Sequence, residues 1–436
     1  MNNTSITSKV WWILFASLVL VLPIAYVPGF IDQQVRAEFL IILTSLLVAI
    51  FGIEVAVNKS KIDIDRTLVF IIIMFFGSNI ISYLLSPSNK NILIGSERAL
   101  GLLPQLSVFI LFILLLARSP TKLIIRQYIP LVLIPFLITL LFGFIQFFTP
   151  IPNFELAYFQ GRIDSLLTNP NNFALWILLV MPIGLFSLFS IIKQNRAKIF
   201  VLLSAYFVSA VTLMLTGCRT GLYLLLCETI FGALIMLVNK QNQRFRSRYL
   251  IYFAVILTLL IFVYFELPKS FSDRYKLNPQ TLTSLETRLT IWKDSIPVIQ
   301  NSPLFGYGQD QFAVAFEKYS NSELLKNPLK VDKAHNLFLD ILVERGFFGL
   351  ITTLLLWGYI FINSVKSFIS SREKQYILIF LLVAISNYMI FLQMNFTDVV
   401  SELYLWIILA VLAIYSKVGA YVSNTHMQRS QRFTNR

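Results

Sequence analysis

The sequence predicts an all-α integral membrane protein, one polytopic membrane domain over residues 1–436 with about twelve transmembrane helices and one long external loop. Three observations carry that expectation. Of the 436 residues, 57% are hydrophobic and only 13% charged, against about 25% charged in an ordinary soluble domain. Apolar runs of roughly 19 residues, the length that crosses a bilayer, recur along the whole chain. Basic residues alternate between successive loops, as they do when one side of the membrane is cytoplasmic.

The runs fall at 10–28, 35–57, 67–86, 99–117, 124–149, 171–192, 198–216, 220–238, 248–266, 336–363, 375–394 and 399–417. The first, Val10 to Pro28, has Lys9 before it and no small-residue cleavage site after it, so it reads as a retained helix and not a removed signal. With the N-terminus cytoplasmic, Lys59, Lys61 and Arg66 fall inside, as do Arg118, Lys122 and Arg126, then Lys193, Arg196 and Lys198, then the later basic loops and the tail. Both termini come out cytoplasmic. On this count 21 of the 36 basic residues lie inside and 17 of the 22 acids outside. The net charge of +14 is thus topology, which excludes nucleic acid as a partner. Cys218 and Cys227 are nine residues apart in a helical stretch, too far to bridge, and no disulfide framework is possible with two cysteines. No repeat of 20 to 50 residues is visible. The external loop at 267–335, between spans nine and ten, is too long for a mere connection.

Four external places carry polar residues that topology does not need. The first is Gln160-Gly161-Arg162, followed by Thr168-Asn169-Pro170-Asn171-Asn172; Asn-Pro forms a turn and Asn caps the next helix, while Arg162 is one of five basic residues in the short external loops. The second is Thr216-Gly217-Cys218-Arg219-Thr220-Gly221, a tight turn whose glycines permit left-handed backbone. They do not account for Arg219, whose guanidinium at a membrane surface calls for an anion: a substrate phosphate, or an acid of the long loop.

The third place is in the long loop. Leu285, Leu289, Trp292, Ile296 and Ile299 recur at helical spacing, with Ser284 as a cap, Pro297 bending or ending the helix, and Arg288 one turn before Trp292. Ser302-Pro303-Leu304-Phe305-Gly306-Tyr307-Gly308 then makes a turn. The fourth is Lys333-Ala334-His335-Asn336, entering span ten, with Asp340, Glu344 and Arg345 deep enough to call for internal pairing. His335, near several arginines and able to exchange a proton near neutral pH, is the candidate for acid-base work.

Other chemistry lacks its residues. No His, Cys or carboxylate cluster has metal-ligand spacing, no Gly-rich loop with Lys and Ser or Thr would cradle a nucleotide, and no Gly-x-Ser-x-Gly elbow occurs; neither a metal nor a cofactor is expected.

Gly161-Arg162 with Asn169-Pro170-Asn171, the tight turn with Arg219, Arg288-x-x-x-Trp292, Pro303 to Gly308, and His335-Asn336-x-x-Leu339 with Glu344 and Gly346 together resemble the O-antigen ligase and O-antigen polymerase superfamily. The resemblance covers ordered motifs from Gln160 to Leu350 and the remainder as topology. It implies a membrane glycosyltransferase similar to the lipid-linked-donor (GT-C-like) enzymes. Such an enzyme takes a glycan from undecaprenyl pyrophosphate at the outer face of the bacterial inner membrane and transfers it to a sugar hydroxyl of the lipid A core.

Carried onto this chain, the resemblance makes Arg219 and Arg288, with Arg162, the holders of the pyrophosphate, each lost donor costing about 2.7 to 4 kcal/mol. His335 would take the acceptor's proton, worth on the order of 100- to 10,000-fold. Asn171, Trp292 and Asn336 would line the substrate site. Displacement would be inverting and metal-independent. A polymerase of the same superfamily, extending a lipid-linked glycan, shares these motifs. A protein-directed oligosaccharyltransferase fits less well, since such members add a sizeable C-terminal soluble region. A different class is a bicarbonate-transporter-like carrier, which would place its decisive polar group near the midplane, where Glu228 is the clear mid-span acid.

Overall fold

Helices follow the apolar runs because a chain in lipid must satisfy every backbone N–H and C=O within itself. A computed structural model describes residues 6–26, 32–58, 64–86, 93–95, 98–118, 130–148, 162–192, 195–238, 254, 257, 258, 260, 261, 265, 279–320, 331–370 and 375–434. Among these the regular elements are helices and no strand forms. The long helices are α1 (Ile6–Val21), α2 (Asp32–Asn58), α3 (Arg66–Leu84), α4 (Leu102–Arg118), α5 (Leu133–Phe148), α6 (Pro170–Ile191), α7 (Asn195–Leu215) and α8 (Arg219–Val238). The loop before the last three spans contributes α9 (Pro279–Asn301) and α10 (Phe312–Tyr319), and α11 (Leu337–Ser370), α12 (Gln375–Phe391) and α13 (Val399–Thr434) follow. Eleven of the twelve expected runs coincide with these helices; the run 248–266 lies largely outside the described residues. Seven of the described helices are long and apolar enough to cross a membrane, and the protein is multi-pass.

Two helices form the centre. In α13 the stretch Val399–Ser416 is 94% buried, against 39% for α1 or α3, as expected of a helix apolar on all sides and enclosed by others. Trp406 of α13 meets Phe75, Phe109 and Phe112 with ring centroids 5.4 to 5.5 Å apart, and Trp176 of α6 meets Tyr404 at 4.6 Å. α6 starts as its sequence predicts: Asn169 Oδ1 accepts from the Asn171 amide at 2.8 Å, and Pro170 occupies the first turn. Exposed Phe70, Ile73, Leu137, Leu141, Ile351 and Leu355 present the apolar outer surface that lipid requires.

The long loop has its own core. Ile291, Val298, Tyr307, Phe312 and Phe316 pack together with Val343 of α11. This explains a departure from the sequence reading. The helix neither opens at Ser284 nor ends at Pro297; it runs from Pro279 to Asn301 with Pro297 inside. Val298 and Ile299 are buried just beyond the proline, and that burial offsets the backbone hydrogen bond the proline removes.

A break in α11 fastens this core to the bundle. At Gly346 the backbone leaves the helical region (φ +65°, ψ −171°), which frees carbonyls before it and amides after it. The segment Pro303–Gly308 fills both sets. The amides of Tyr307 and Gly308 donate to Val343 O (3.0 Å) and Glu344 O (2.8 Å), and those of Phe347 and Phe348 donate to Pro303 O (2.8 Å) and Leu304 O (3.1 Å). A Cβ on Gly346 would lie 2.3 Å from the Leu304 carbonyl carbon, and one on Gly306 2.5 Å from Arg345 N. Only glycine allows this approach.

Candidate active site

The sequence motifs meet at the end of the bundle that bears the loop. Between α7 and α8 the chain turns in three residues, Thr216, Gly217 (φ +62°) and Cys218, so that Arg219 opens α8. A helix start leaves N–H groups unpaired and favours a negative charge. Arg162 reaches the same turn: its Nε donates to Thr216 O at 2.6 Å and its Nη2 to Asn171 Oδ1 at 2.7 Å. Ile163 N donates to Leu215 O at 3.3 Å and ties the two segments together. Asn171 therefore orients Arg162. Gln160 and Gly161 lie outside the described residues.

Arg288 approaches from α9. It lies within electrostatic reach of Arg219 and of the Cys218 thiol, which also feels Arg162. Burial first, and Arg219 after it, lower the Arg288 pKa, with Cys218 acting the other way. Arg288 makes no ion pair among the described residues. A half-buried guanidinium in this position is stabilised by an anion. Cys218 is a buried free thiol whose pKa burial raises, against smaller lowering by backbone N–H groups and by Arg162 and Arg288.

His335 is held from both sides. Trp292, one turn after Arg288 on α9, donates from Nε1 to Ala334 O at 2.9 Å, and the Ala334 amide donates to Asp340 Oδ1 at 2.7 Å. Asn336 caps α11, its Oδ1 accepting from Phe338 N (3.1 Å) and Leu339 N (3.2 Å). Between these anchors His335 takes φ +55°, a left-handed backbone that costs a non-glycine residue about 1 to 3 kcal/mol and persists where the surroundings enforce it. Burial, then Arg288, then Arg98 push its imidazole down to about 4, against a smaller pull from Asp332. At neutral pH the ring is uncharged and can accept a proton. Its Nδ1 is buried without a protein partner among the described residues.

Arg219, Arg288, Arg162 and His335 are thus brought together, while Asn171, Trp292 and Asn336 each fix a neighbouring element of the group. Sequence reasoning passed over Arg98, although it counted among the five basic residues of the short loops. Its guanidinium pairs with Asp332 (2.5 Å) and lies 3.3 Å from the Phe396 ring centroid, and His335 stands 5.2 Å from the same ring. Asp340, Glu344 and Arg345 call for internal pairing, and Glu344 finds it in Lys333, which is also 3.4 Å from Asp310.

Comparison with known proteins fits this geometry. The O-antigen ligase family pattern matches residues 202–354, a stretch that holds Arg219, Arg288, Trp292, the Pro303–Gly308 seam, His335 and Gly346 but not Arg162. The resemblance read from the motifs is borne out there. An uncharacterized protein of Haemophilus influenzae is 23% identical over 327 residues, covering 72% of this chain and 76% of its own. The ComP-specific O-oligosaccharyltransferase of Acinetobacter baylyi is 26% identical over 239 residues, 53% of this chain and 41% of that protein. Family pattern and relative together support a membrane enzyme of the glycosyltransferase type.

Proposed function

We propose that the protein transfers a glycan from undecaprenyl pyrophosphate to a sugar hydroxyl of the lipid A core, at the periplasmic face of the bacterial inner membrane with both termini cytoplasmic. The observation that carries this reading is the gathering of Arg219, Arg288 and Arg162 at one helix start with a neutral, half-buried His335 beside Arg288.

In this reading the acceptor oxygen attacks the anomeric carbon as its bond to the pyrophosphate breaks, which inverts that centre. The acceptor proton passes to His335, and the arginines stabilise the charge gathering on undecaprenyl pyrophosphate. They supply the positive charge that other transferases draw from a metal. A donor pyrophosphate between Arg288 and His335 also opposes the guanidinium's field, which raises the imidazole pKa and strengthens the base in the complex.

The test combines purified protein with undecaprenyl-pyrophosphate-linked glycan and lipid A core, comparing wild type with His335→Ala and Arg219→Ala. Glycan on the core in wild type alone supports the ligase; longer lipid-linked chains with an untouched core make it a polymerase. The oligosaccharyltransferase among the relatives favours a third arm with a protein acceptor. No transfer in any arm, with function lost in Glu228→Gln and kept in His335→Ala, would replace the enzyme by a carrier.

A further inference from the structure

The segment from Arg162 to Thr168 is irregular backbone set inside the bundle, and Arg162 through Leu167 are all buried. Ser165 Oγ donates to Thr139 O of α5 at 2.6 Å. Thr139 lies nine residues before the end of that helix at Phe148, so the segment dips roughly 13 Å along α5 at about 1.5 Å per residue. At such depth non-helical chain is tolerated only where protein groups satisfy its N–H and C=O. Ser165 (φ +53°) and Thr168 (φ +59°) also hold left-handed backbone, which persists where the surroundings enforce it.

Gln146 of α5 fastens this segment. It is 2% exposed, and its Oε1 accepts from Asp164 N at 3.0 Å and from Ser165 N at 2.9 Å. Its Nε2 donates to Asp164 Oδ1 at 2.7 Å, so both ends of one amide are spent on two consecutive residues. From another side the wholly buried Arg36 of α2 donates to Leu166 O and, at 2.9 Å, to Ala25 O.

Arg162 stands two residues before Asp164. Its Nε reaches Thr216 O at 2.6 Å, and Ile163 N donates to Leu215 O. The place of the guanidinium at the α7–α8 turn therefore depends on how Asp164 and Ser165 are held. Gln146 is too enclosed to meet a substrate, and whatever it does to the donor it does through Arg162.

We infer that Gln146 is a positioning residue of the donor site: by holding Asp164 and Ser165 it sets Arg162 at the Thr216–Arg219 turn, where the guanidinium meets the donor pyrophosphate. The inference rests on the glycan-transfer reading for the role of Arg162, whereas the hold on the segment does not. Two measurements on the full-length protein in nanodiscs keep these apart. In Gln146→Met, which keeps the length and removes the amide, hydrogen exchange of residues 162–168 should rise about tenfold with that of α13 unchanged. Gln146→Glu keeps an acceptor for both amides but sets two carboxylates together. Its exchange should match wild type in acid, where such a pair shares a proton, and rise in alkali. Should Gln146→Met fail to fold, this variant decides.

The second measurement is binding of undecaprenyl pyrophosphate, with no transfer required. Its Kd should rise about tenfold in Gln146→Met and in Arg162→Ala, and no further in the double variant, since residues acting through one contact are not additive. In Gln146→Glu the same rise should appear in alkali and vanish in acid. A mere loss of folded protein would lower the number of sites and leave the Kd unchanged.

Wild-type exchange in Gln146→Met, or in Gln146→Glu at every pH, overturns the hold. Faster exchange with an unchanged Kd, or a double variant weaker than Arg162→Ala, overturns the donor role of Gln146. No saturable binding by wild type overturns the pyrophosphate reading of the site and the donor role with it, while the exchange still reads the hold.

Discussion

Lys333 and His335 are two residues apart in sequence, yet they belong to regions with opposite electrostatic designs. Lys333 is nearly inaccessible and surrounded by acids: burial works against its ammonium, but Glu344 and Asp310 outweigh that and hold its pKa above the ordinary lysine value. His335 faces Arg288 and Arg98, and burial and these cations hold it neutral. One region cancels its charges internally and so fixes the entry to α11. In the other, Asp332 pairs Arg98, and in the proposed mechanism the balance of Arg288 is left to a visiting anion. On the proposed mechanism, what separates the charge of Lys333 from that of Arg288 is whether the protein itself supplies the counter-ion.

The sharpest way to break this contrast is to remove one member from each region. His335→Ala should lower transfer by on the order of 100- to 10,000-fold with an unchanged thermal-unfolding midpoint; a variant that transfers normally would take the base away from His335. Lys333→Met should do the converse, costing about 3 to 5 kcal/mol of stability because it leaves buried carboxylates unpaired. Thermal unfolding in detergent reads this, and a midpoint at the wild-type value would dissolve the distinction between the regions.

Arg288→Ala should cost about 2.7 to 4 kcal/mol of transition-state stabilisation, roughly 100- to 1,000-fold in kcat. A change confined to donor KM would make Arg288 a binding group only.

The smallest effects concern pH. In the proposed mechanism the neutral imidazole is the active form, so kcat/KM should hold as pH falls from neutrality and drop through about 4, where the free protein's His335 gains its proton. Removing Arg288 removes a cation that disfavours that proton, and the acid limb should move up by about one unit. Arg98→Ala should move it in the same direction by less, since Asp332 already pairs with Arg98. A wild-type limb near the ordinary histidine value would show that His335 does not feel these cations.

Much of this was legible in the sequence, because it depends on local patterns. Apolar length marks a spanning helix, and the Thr216–Gly221 turn, the Trp292 stripe and the Asn-Pro cap are written within a few residues. What escaped detection depends on partners far apart in the chain. Arg98 meets Asp332, and Gln309 meets Asn79, with no local signal for either pair. Pro297 left open whether the helix bends or ends there, because propensity counts the lost hydrogen bond and not the burial of Val298 beyond it. Phe396 is one apolar residue among many until its position beside His335 and Arg98 is known.

The seam between Pro303–Gly308 and the break in α11 is made of main-chain atoms. Main-chain bonds are indifferent to the identity of most side chains. Over evolutionary time the loop that aims Arg288 could therefore be rewritten almost freely in composition while staying attached at the same place, provided positions 306 and 346 keep a hydrogen where other residues carry a carbon.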